Sequence, residues 1–319
     1  MRLQRRTSPL LGFVLLAIAG LVMAQALGAL PAGLTDLIVR GWPALLVMVG
    51  LALLLRDRLP FGGLIALLAS VLLAAGIGYA AFNERAQQQR SDNRQPIEQT
   101  LPAEITLLRL RVQALSTDVE LLRSLDADPI VRGEFVGSSD NTIDIAYELL
   151  PDDSVTLTLS ESRAGGFPFL ETVGRGALQL ELPPDVPIDV EFVSSQGSII
   201  LNLSGTALER LNVLARDGDV IVTLPEYQPR FTQDVSALGT IEAQNGDLTI
   251  RVPEAVAGRF ELNRGGSGIV PQFNAEVYNY LQGDVLEARL IDIADIAVRY
   301  TLTAPRGLIR LDVPGAASG

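Results

Sequence analysis

Two close pairs of carboxylates are the residues whose types and spacing could do acid–base chemistry. Asp152 and Asp153 are adjacent, and Asp126 and Asp128 lie two positions apart. Two carboxyl groups across a cleft are the usual machinery of glycoside hydrolysis. Both pairs lie close to proline in segments with the composition of loops, so turn and surface roles are favoured. A carboxylate-based hydrolase is kept as an alternative.

The residue types that are missing exclude most other chemistry. The 319 residues contain no Cys, no His and no Lys, and all 25 basic residues are Arg. Cys and His are needed for ordinary zinc sites and for nucleophile–histidine catalysis, and Lys is needed for a P-loop or a Schiff base. The sequence therefore predicts a protein that is not an enzyme, with no catalytic, cofactor-binding or metal-ligating residues and no cofactor.

Turn motifs rich in glycine and acidic residues could hold ions. Asp217-Gly218-Asp219 and Asn245-Gly246-Asp247 offer oxygen ligands of the kind that Ca²⁺ takes, and Gly165-Gly166 and Gly265-Gly266-Ser267-Gly268 could approach a phosphate. No calcium-loop pattern surrounds the first two motifs. A strand pattern, and not the helix start that a phosphate cradle needs, follows the glycine runs. All four are interpreted as turns or loops.

Two aromatic motifs, Phe167-Pro168-Phe169 and Tyr278-Asn279-Tyr280, fall on predicted turns. Packing at the edge or end of a core is the favoured interpretation. A binding patch for a partner is the alternative, because exposed aromatic clusters often mark interfaces.

Charge and hydropathy divide the chain in two. Residues 1–60 carry six arginines and two aspartates, a net charge of +4, whereas the whole chain carries −12, which leaves −16 for residues 61–319. Nucleic-acid binding depends on basic groups that neutralise phosphates. The acidic part therefore predicts that nucleic acid is not a partner.

Three apolar runs, 10–30, 36–55 and 59–82, predict a transmembrane helical domain over residues 1–82. Each is long enough to cross a hydrocarbon layer of about 30 Å at about 1.5 Å per helical residue, if Arg40 extends to the interface in the second. Trp42 and Tyr79 lie near span ends, where amphipathic rings favour the headgroup layer. Membrane lipid is therefore an expected partner.

The first run could also be a signal peptide, with cleavage at Ala24-Gln25-Ala26. Three spans with the arginine-rich start inside, or two spans after cleavage, both leave the C-terminal domain outside the cell. We expect a multi-pass protein of the cell membrane with an extracytoplasmic C-terminal domain.

Residues 83–100 are predicted to be a polar linker and residues 101–319 an all-β domain. Apolar residues recur at every second position in segments such as Thr142–Leu149, Ser154–Ser160 and Ala177–Pro183. This period is typical of strands with one buried face. No long amphipathic helix is expected after residue 100, and Val119–Leu125 is expected to be at most a short irregular piece.

A repeated pattern of glycine followed by alternating apolar residues runs through the domain. The glycines at 176, 197, 218 and 239 are 21 residues apart, and the spacing breaks after Gly239. A period near 20 residues indicates a solenoid whose coils stack on one another. We predict a β-solenoid-like roll of short repeats. A β-sandwich is the alternative, because Asn-Gly and Asp-Gly also mark hairpins.

Three segments resemble a known family. The run Trp42–Leu55 resembles the Trp-Pro-led helix of LiaF-type membrane proteins, and Arg109–Ser138 is similar to the entry segment of the toast-rack domain. The Gly-x-apolar repeats resemble putative-adhesin and cell-wall-active-antibiotics-response β domains. The resemblance covers most of the chain and implies a non-catalytic regulator that restrains a sensor histidine kinase of a cell-envelope stress system. Members of this family often have four membrane spans, whereas about three are predicted here, so the family's membrane topology does not transfer directly to this chain.

The main functional hypothesis is a non-enzymatic envelope protein whose β domain binds or senses a partner. The sensor kinase enters only through the resemblance. The alternative is an adhesin or surface scaffold in which the helices are only an anchor.

Overall fold

Seventeen strands and one 3-10 turn make up the described part of the chain. The computed structural model describes residues 88–126, 128–164, 174–230, 238–265 and 268–313. The predicted spans at 10–30, 36–55 and 59–82, and the cleavage motif, lie outside these residues. No helix among the described residues is long and apolar enough to cross a bilayer. The expected all-β class of the C-terminal domain is confirmed.

The strands alternate in burial as the sequence periodicity predicts. They are β1 Asn93–Thr100, β2 Leu107–Arg123, β3 Ile130–Gly137, β4 Asn141–Leu149, β5 Ser154–Arg163, β6 Gly176–Leu182, β7 Pro187–Gln196, β8 Ile199–Asn202, β9 Ala207–Asp217, β10 Val220–Thr223, β11 Thr240–Asn245, β12 Leu248–Arg251, β13 Val256–Asn263, β14 Tyr278–Leu281, β15 Val285–Ala288, β16 Ile296–Thr303 and β17 Ile309–Asp312. The 3-10 turn is Ile291–Ile293.

These strands form two sheets that share β2. The first, sheet I, runs β4-β5-β2-β7-β9-β11-β16-β13-β15-β14. The second, sheet II, runs β1-β3-β6-β2-β8-β10-β12-β17. Residues 107–116 of β2 pair in sheet I, and residues 117–123 pair in sheet II. Buried side chains from both sheets form one hydrophobic core.

Four units that are neighbours in the stack repeat the same path, although β13, β14 and β15 separate the last two along the chain. A strand of sheet I is followed by a corner containing glycine and then by a short strand of sheet II, as in β7-β8, β9-β10, β11-β12 and β16-β17. Neighbouring units pair in parallel. Val220 of β10, for example, is opposite Ile199 on one side and Leu248 on the other. Each buried residue therefore stacks on its equivalent in the next unit.

The bend at which β2 passes from one sheet to the other is held by a buried carboxylate. Glu161 Oε2 accepts hydrogen bonds from the backbone N–H of Leu115 (2.5 Å) and of Ser116 (3.0 Å). Its other oxygen accepts one from Asn141 Nδ2 (2.7 Å). Glu161 is only 6% exposed. The carboxylate thus accepts hydrogen bonds from two N–H groups at the bend, where the strand leaves one sheet and enters the other.

Two sequence predictions about the domain start are wrong. Asn93–Thr100, expected to be linker, is strand β1, which pairs antiparallel with β3 and buries Ile97 in the core. Val119–Leu125, expected to be irregular, continues β2 as far as Arg123 because β6 and β8 pair with it on both sides. Partner strands, and not the local pattern, decide both segments.

Candidate functional site

The acidic glycine motifs lie at the corners of the stacked units, where their side chains bind neighbouring corners. Asp219 Oδ1 accepts a hydrogen bond from the N–H of Asp247, and Asp247 Oδ1 accepts one from the N–H of Leu308, both at 2.8 Å. Asn245 Nδ2 donates to Asp217 Oδ1 at 2.7 Å. No group of three potential metal-binding side chains occurs within the described residues. The hydrogen bonds between neighbouring corners agree with the interpretation of these motifs as turns.

The two carboxylate pairs lie on exposed turns beside arginines. Asp152 accepts hydrogen bonds from the hydroxyl (2.6 Å) and the N–H (3.2 Å) of Ser154, and these bonds lower the pKa of its carboxyl group below its usual value. Asp126 and Asp128 both lie within 4 Å of the guanidinium of Arg132. A general acid needs a raised pKa. Asp152 is shifted in the opposite direction.

The glycine-rich runs are only partly within the described residues. Gly165-Gly166 lies outside them, as does the centre of the second run. Gly265 and Gly268, which flank that centre, have φ values of 54° and 70°, which are typical of loops. Strand β14 is the next regular element after Gly268, so no helix N-terminus is available there for a phosphate.

The Tyr278-Asn279-Tyr280 motif forms strand β14, whereas Phe167-Pro168-Phe169 lies outside the described residues. Tyr278 is 1% exposed and packs against Phe260, with ring centroids 6.0 Å apart. Tyr280 is 44% exposed, stacks on Phe273 and donates a hydrogen bond to Asp284. The motif was expected on a turn, and that placement is wrong because residues 278–281 form a strand. The burial of Tyr278 against Phe260 agrees with the favoured interpretation of packing at a core edge.

A groove of about 450 Å³ lies beside β14 and the 3-10 turn. Its lining includes residues 253–257 and 293–295, and the side chain of Tyr278. The hydroxyl of Tyr278 has no hydrogen-bond partner among the described residues, and burial raises its pKa above the usual value. Leu290 is 65% exposed at the groove. The groove is lined by apolar and charged residues, but these bear no arrangement of groups that points to a reaction.

A second apolar surface lies on the inner face of β4. Ile145, Tyr147 and Leu149 are 40%, 38% and 55% exposed, although they are opposite the buried Leu159, Leu157 and Val155 of β5. The three side chains thus continue the core face of sheet I beyond the area that sheet II covers. We call them the β4 strip. Adjacent exposed apolar side chains of this kind are typical of contact surfaces.

The backbone of the same three residues faces an open edge of the sheet. At the start of this edge, the side chain of Gln95 binds Ile143 as a strand would, donating to its C=O (2.8 Å) and accepting from its N–H (3.2 Å). Outward-facing peptide groups recur at every second residue of a strand. The N–H and C=O groups of Ile145, Tyr147 and Leu149 therefore point to the same edge, and no described strand pairs there.

Sequence reasoning missed the β4 strip because alternation identifies a buried face without identifying what buries it. Thr142–Leu149 was correctly predicted to be a strand, and its odd-numbered residues do lie on the core side. The one available signal was the segment that follows β4 in the sequence. The tight turn through Asp152 and Asp153 indicates that β4 pairs with β5 and not with the repeating units.

Comparison with known proteins shows similarity at the level of fold. No family model and no curated protein matches the chain. A solved structure of a putative cell adhesion protein from Clostridium sporogenes is similar with a TM-score of 0.57 and 16% sequence identity, over 69% of this chain and 100% of that one. A putative adhesin from Bacteroides fragilis aligns with a TM-score of 0.24 and 11% identity, over 70% and 99% of the respective chains. Only the first likeness is close enough to indicate a shared fold.

Proposed function

We propose that this chain is a non-enzymatic cell-surface protein of the adhesin or scaffold class, in which residues 1–82 anchor the β domain to the membrane and the β domain contacts a partner outside the cell. The observation that carries the proposal is the β4 strip: three adjacent apolar side chains exposed on the core side of an open-edged strand. Such a surface serves contact with another macromolecule.

Two further observations support this function over the alternatives. The fold is similar to that of a putative cell adhesion protein, and the carboxylate pairs considered for a hydrolase are turn residues beside arginines. We infer that the stacked parallel units form a solenoid-like roll, a rigid shape suited to holding a surface away from the membrane. Restraint of a sensor histidine kinase, which the LiaF-type resemblance implies, stays a prediction.

The cellular part of this proposal is tested by labelling cysteines introduced on the outer faces of the two sheets. Gln113→Cys lies on sheet I and Glu120→Cys on sheet II, both are exposed, and the chain has no other cysteine. We expect a membrane-impermeant thiol reagent to label both variants in intact cells. Labelling that occurs only after lysis would place the domain inside the cell and end the adhesin proposal.

The adhesive part is tested with the full-length chain expressed in a non-adherent bacterial host. Replacing Ile145, Tyr147 and Leu149 together by threonine keeps residues that favour strands while removing most of the apolar surface. Ile200→Thr, at an exposed apolar position of sheet II, is the matched control. We expect cell–cell or cell–surface attachment to be lost in the strip variant alone. Equal attachment by both variants would show that the β4 strip is not the contact surface.

A further inference from the structure

The outer face of β4 carries two carboxylates next to the open edge. Asp144 and Glu148 are exposed, and their neighbours on β5 are Ser160 and Thr156, which are uncharged. No described arginine forms an ion pair with either carboxylate. The edge strand therefore presents apolar side chains on one face and negative charge on the other, and between them lie peptide groups with which no described strand pairs.

These three properties define what a matching segment must be. It must be extended, because Ile145, Tyr147 and Leu149 each offer one N–H and one C=O to the edge. Its residues must alternate in character, since successive side chains of a strand lie on opposite faces. Apolar residues would cover the β4 strip, and basic residues would lie beside Asp144 and Glu148, where opposite charges across strands are favourable.

We propose that the open edge of β4 binds an extended segment of a partner protein in which basic residues alternate with apolar ones, by adding a strand to sheet I. This inference rests on the proposed function and names the chemistry of the partner. Main-chain hydrogen bonds supply the affinity in such strand addition, and alternate side chains supply the specificity.

A second copy of the same chain is the less suitable occupant. Antiparallel pairing of two β4 strands about Ala146 places Asp144 of each copy opposite Glu148 of the other. Pairing about Ile145 or Tyr147 still places the four carboxylates at successive intervals of two positions, alternating between the two copies. Like charges on opposed strands are destabilising, so the edge repels its own copy while it attracts a basic strand.

The test measures binding of a fluorescent seven-residue peptide of alternating arginine and valine to the purified full-length chain. A peptide of the same sequence, N-methylated at every interior amide, keeps the charge but lacks the donors for a ladder. We expect it to bind at least about tenfold more weakly, since the main chain carries most of the affinity. Equal affinity of the two peptides would reduce the interaction to charge alone and overturn the proposal.

Variants of the protein locate the site. Asp144→Asn with Glu148→Gln changes only charge at exposed positions, and it should weaken binding about five- to tenfold and reduce its salt dependence. The matched control, Glu98→Gln with Glu120→Gln, removes two exposed carboxylates from sheet II and should leave the affinity unchanged. Equal weakening by both pairs would mean that the peptide senses the net negative charge of the chain and not β4.

The outcomes separate this inference from the proposed function. Peptide binding by the purified chain does not depend on cell location, so it can succeed where the labelling or attachment tests fail. Attachment that depends on the β4 strip, without N-methylation-sensitive peptide binding, would overturn only the strand-addition inference. A third outcome is that the chain associates with itself, that the strip variant abolishes this association, and that the peptide does not compete with it. This outcome would assign the edge to a second copy of the chain instead.

Discussion

Replacing Gly218 by alanine should destabilise the β domain far more than the same replacement at Gly283. Both glycines have positive φ, 148° and 84°. A Cβ on Gly218 would lie 2.1 Å from the carbonyl oxygen of Gly197 in the adjacent corner, whereas a Cβ on Gly283 would have no atom within 4 Å. Both variants therefore place alanine at a positive φ, and only Gly218→Ala adds a steric overlap.

The magnitude follows from that overlap. Backbone strain at a position of positive φ costs about 1 to 3 kcal/mol in either variant. At Gly218 the neighbouring atom is main chain, so no rotamer change relieves the contact, and the corners must separate by about 1 Å. Overpacking of this kind costs about a further 1 to 3 kcal/mol. We expect a total loss of about 2 to 6 kcal/mol for Gly218→Ala and about 1 to 3 kcal/mol for Gly283→Ala.

Pulse proteolysis of the full-length chain over a urea series measures the free energy of unfolding of each variant. The urea midpoint of Gly218→Ala should be well below that of Gly283→Ala. Losses equal to within about 0.5 kcal/mol, the usual error of additivity, would refute the reasoning. Stacking between corners would then not limit which residue can occupy them.

Changes at three other residues have defined expected outcomes. Tyr278→Phe should raise the free energy of unfolding by about 1 kcal/mol in the same assay, because a buried hydroxyl without a hydrogen-bond partner is costly. Tyr227→Phe should lower the free energy of unfolding by about 1 to 2 kcal/mol, because that hydroxyl donates to Glu209 at 2.5 Å. The opposite ranking would contradict the assigned hydrogen bonding of the two hydroxyls. Burial, and then the bond to Glu209, raise the pKa of Tyr227 to about 12. The stabilising contribution of this tyrosine is complete below the ordinary tyrosine pKa of about 10 and is lost as the pH rises through about 12. The free energy of unfolding, measured between pH 9 and 12, should therefore depend less on pH in Tyr227→Phe than in the native chain. Glu161→Ala should lower the free energy of unfolding by about 2 to 5 kcal/mol, since it leaves two N–H groups of the β2 bend without their acceptor. Glu161→Gln keeps one acceptor oxygen and should lower the free energy of unfolding clearly less. Equal losses in the two variants would indicate that only the volume of the side chain matters.

Local alternation was enough to predict strands such as Ser154–Ser160 and Ala177–Pro183, which lie in β5 and in β6 with its following residue. It was not enough for Asn93–Thr100, a polar segment with one proline, because this segment becomes a strand only through pairing with β3. The regular glycine spacing was also misleading at Gly239. The stacked corners contain Gly197, Gly218, Gly246 and Gly307, and the insertions between them lengthen the later units.

The β4 strip shows why a contact surface is harder to predict than a strand. The pattern of Thr142–Leu149 correctly separates the two faces of β4, but the inner side chains are buried only as far as Ile143, and β4 contacts β1 and β3 of sheet II. Whether an apolar face is covered depends on the length and placement of the opposing sheet. That information lies in residues far along the chain and not in β4 itself.

The participation of β2 in both sheets also has a consequence for synthesis on the ribosome. Its partners β5, β6, β7 and β8 all follow it in the chain, and the last of them ends at Asn202. At about 5 to 20 residues per second, roughly 4 to 16 s separate the translation of Arg123 from that of Asn202. During this interval the apolar face of a 17-residue strand lacks its final neighbours. Transiently exposed apolar surface and unpaired strand edges favour aggregation. We therefore expect ribosome-bound intermediates that end before residue 202 to bind holding chaperones more than longer intermediates do.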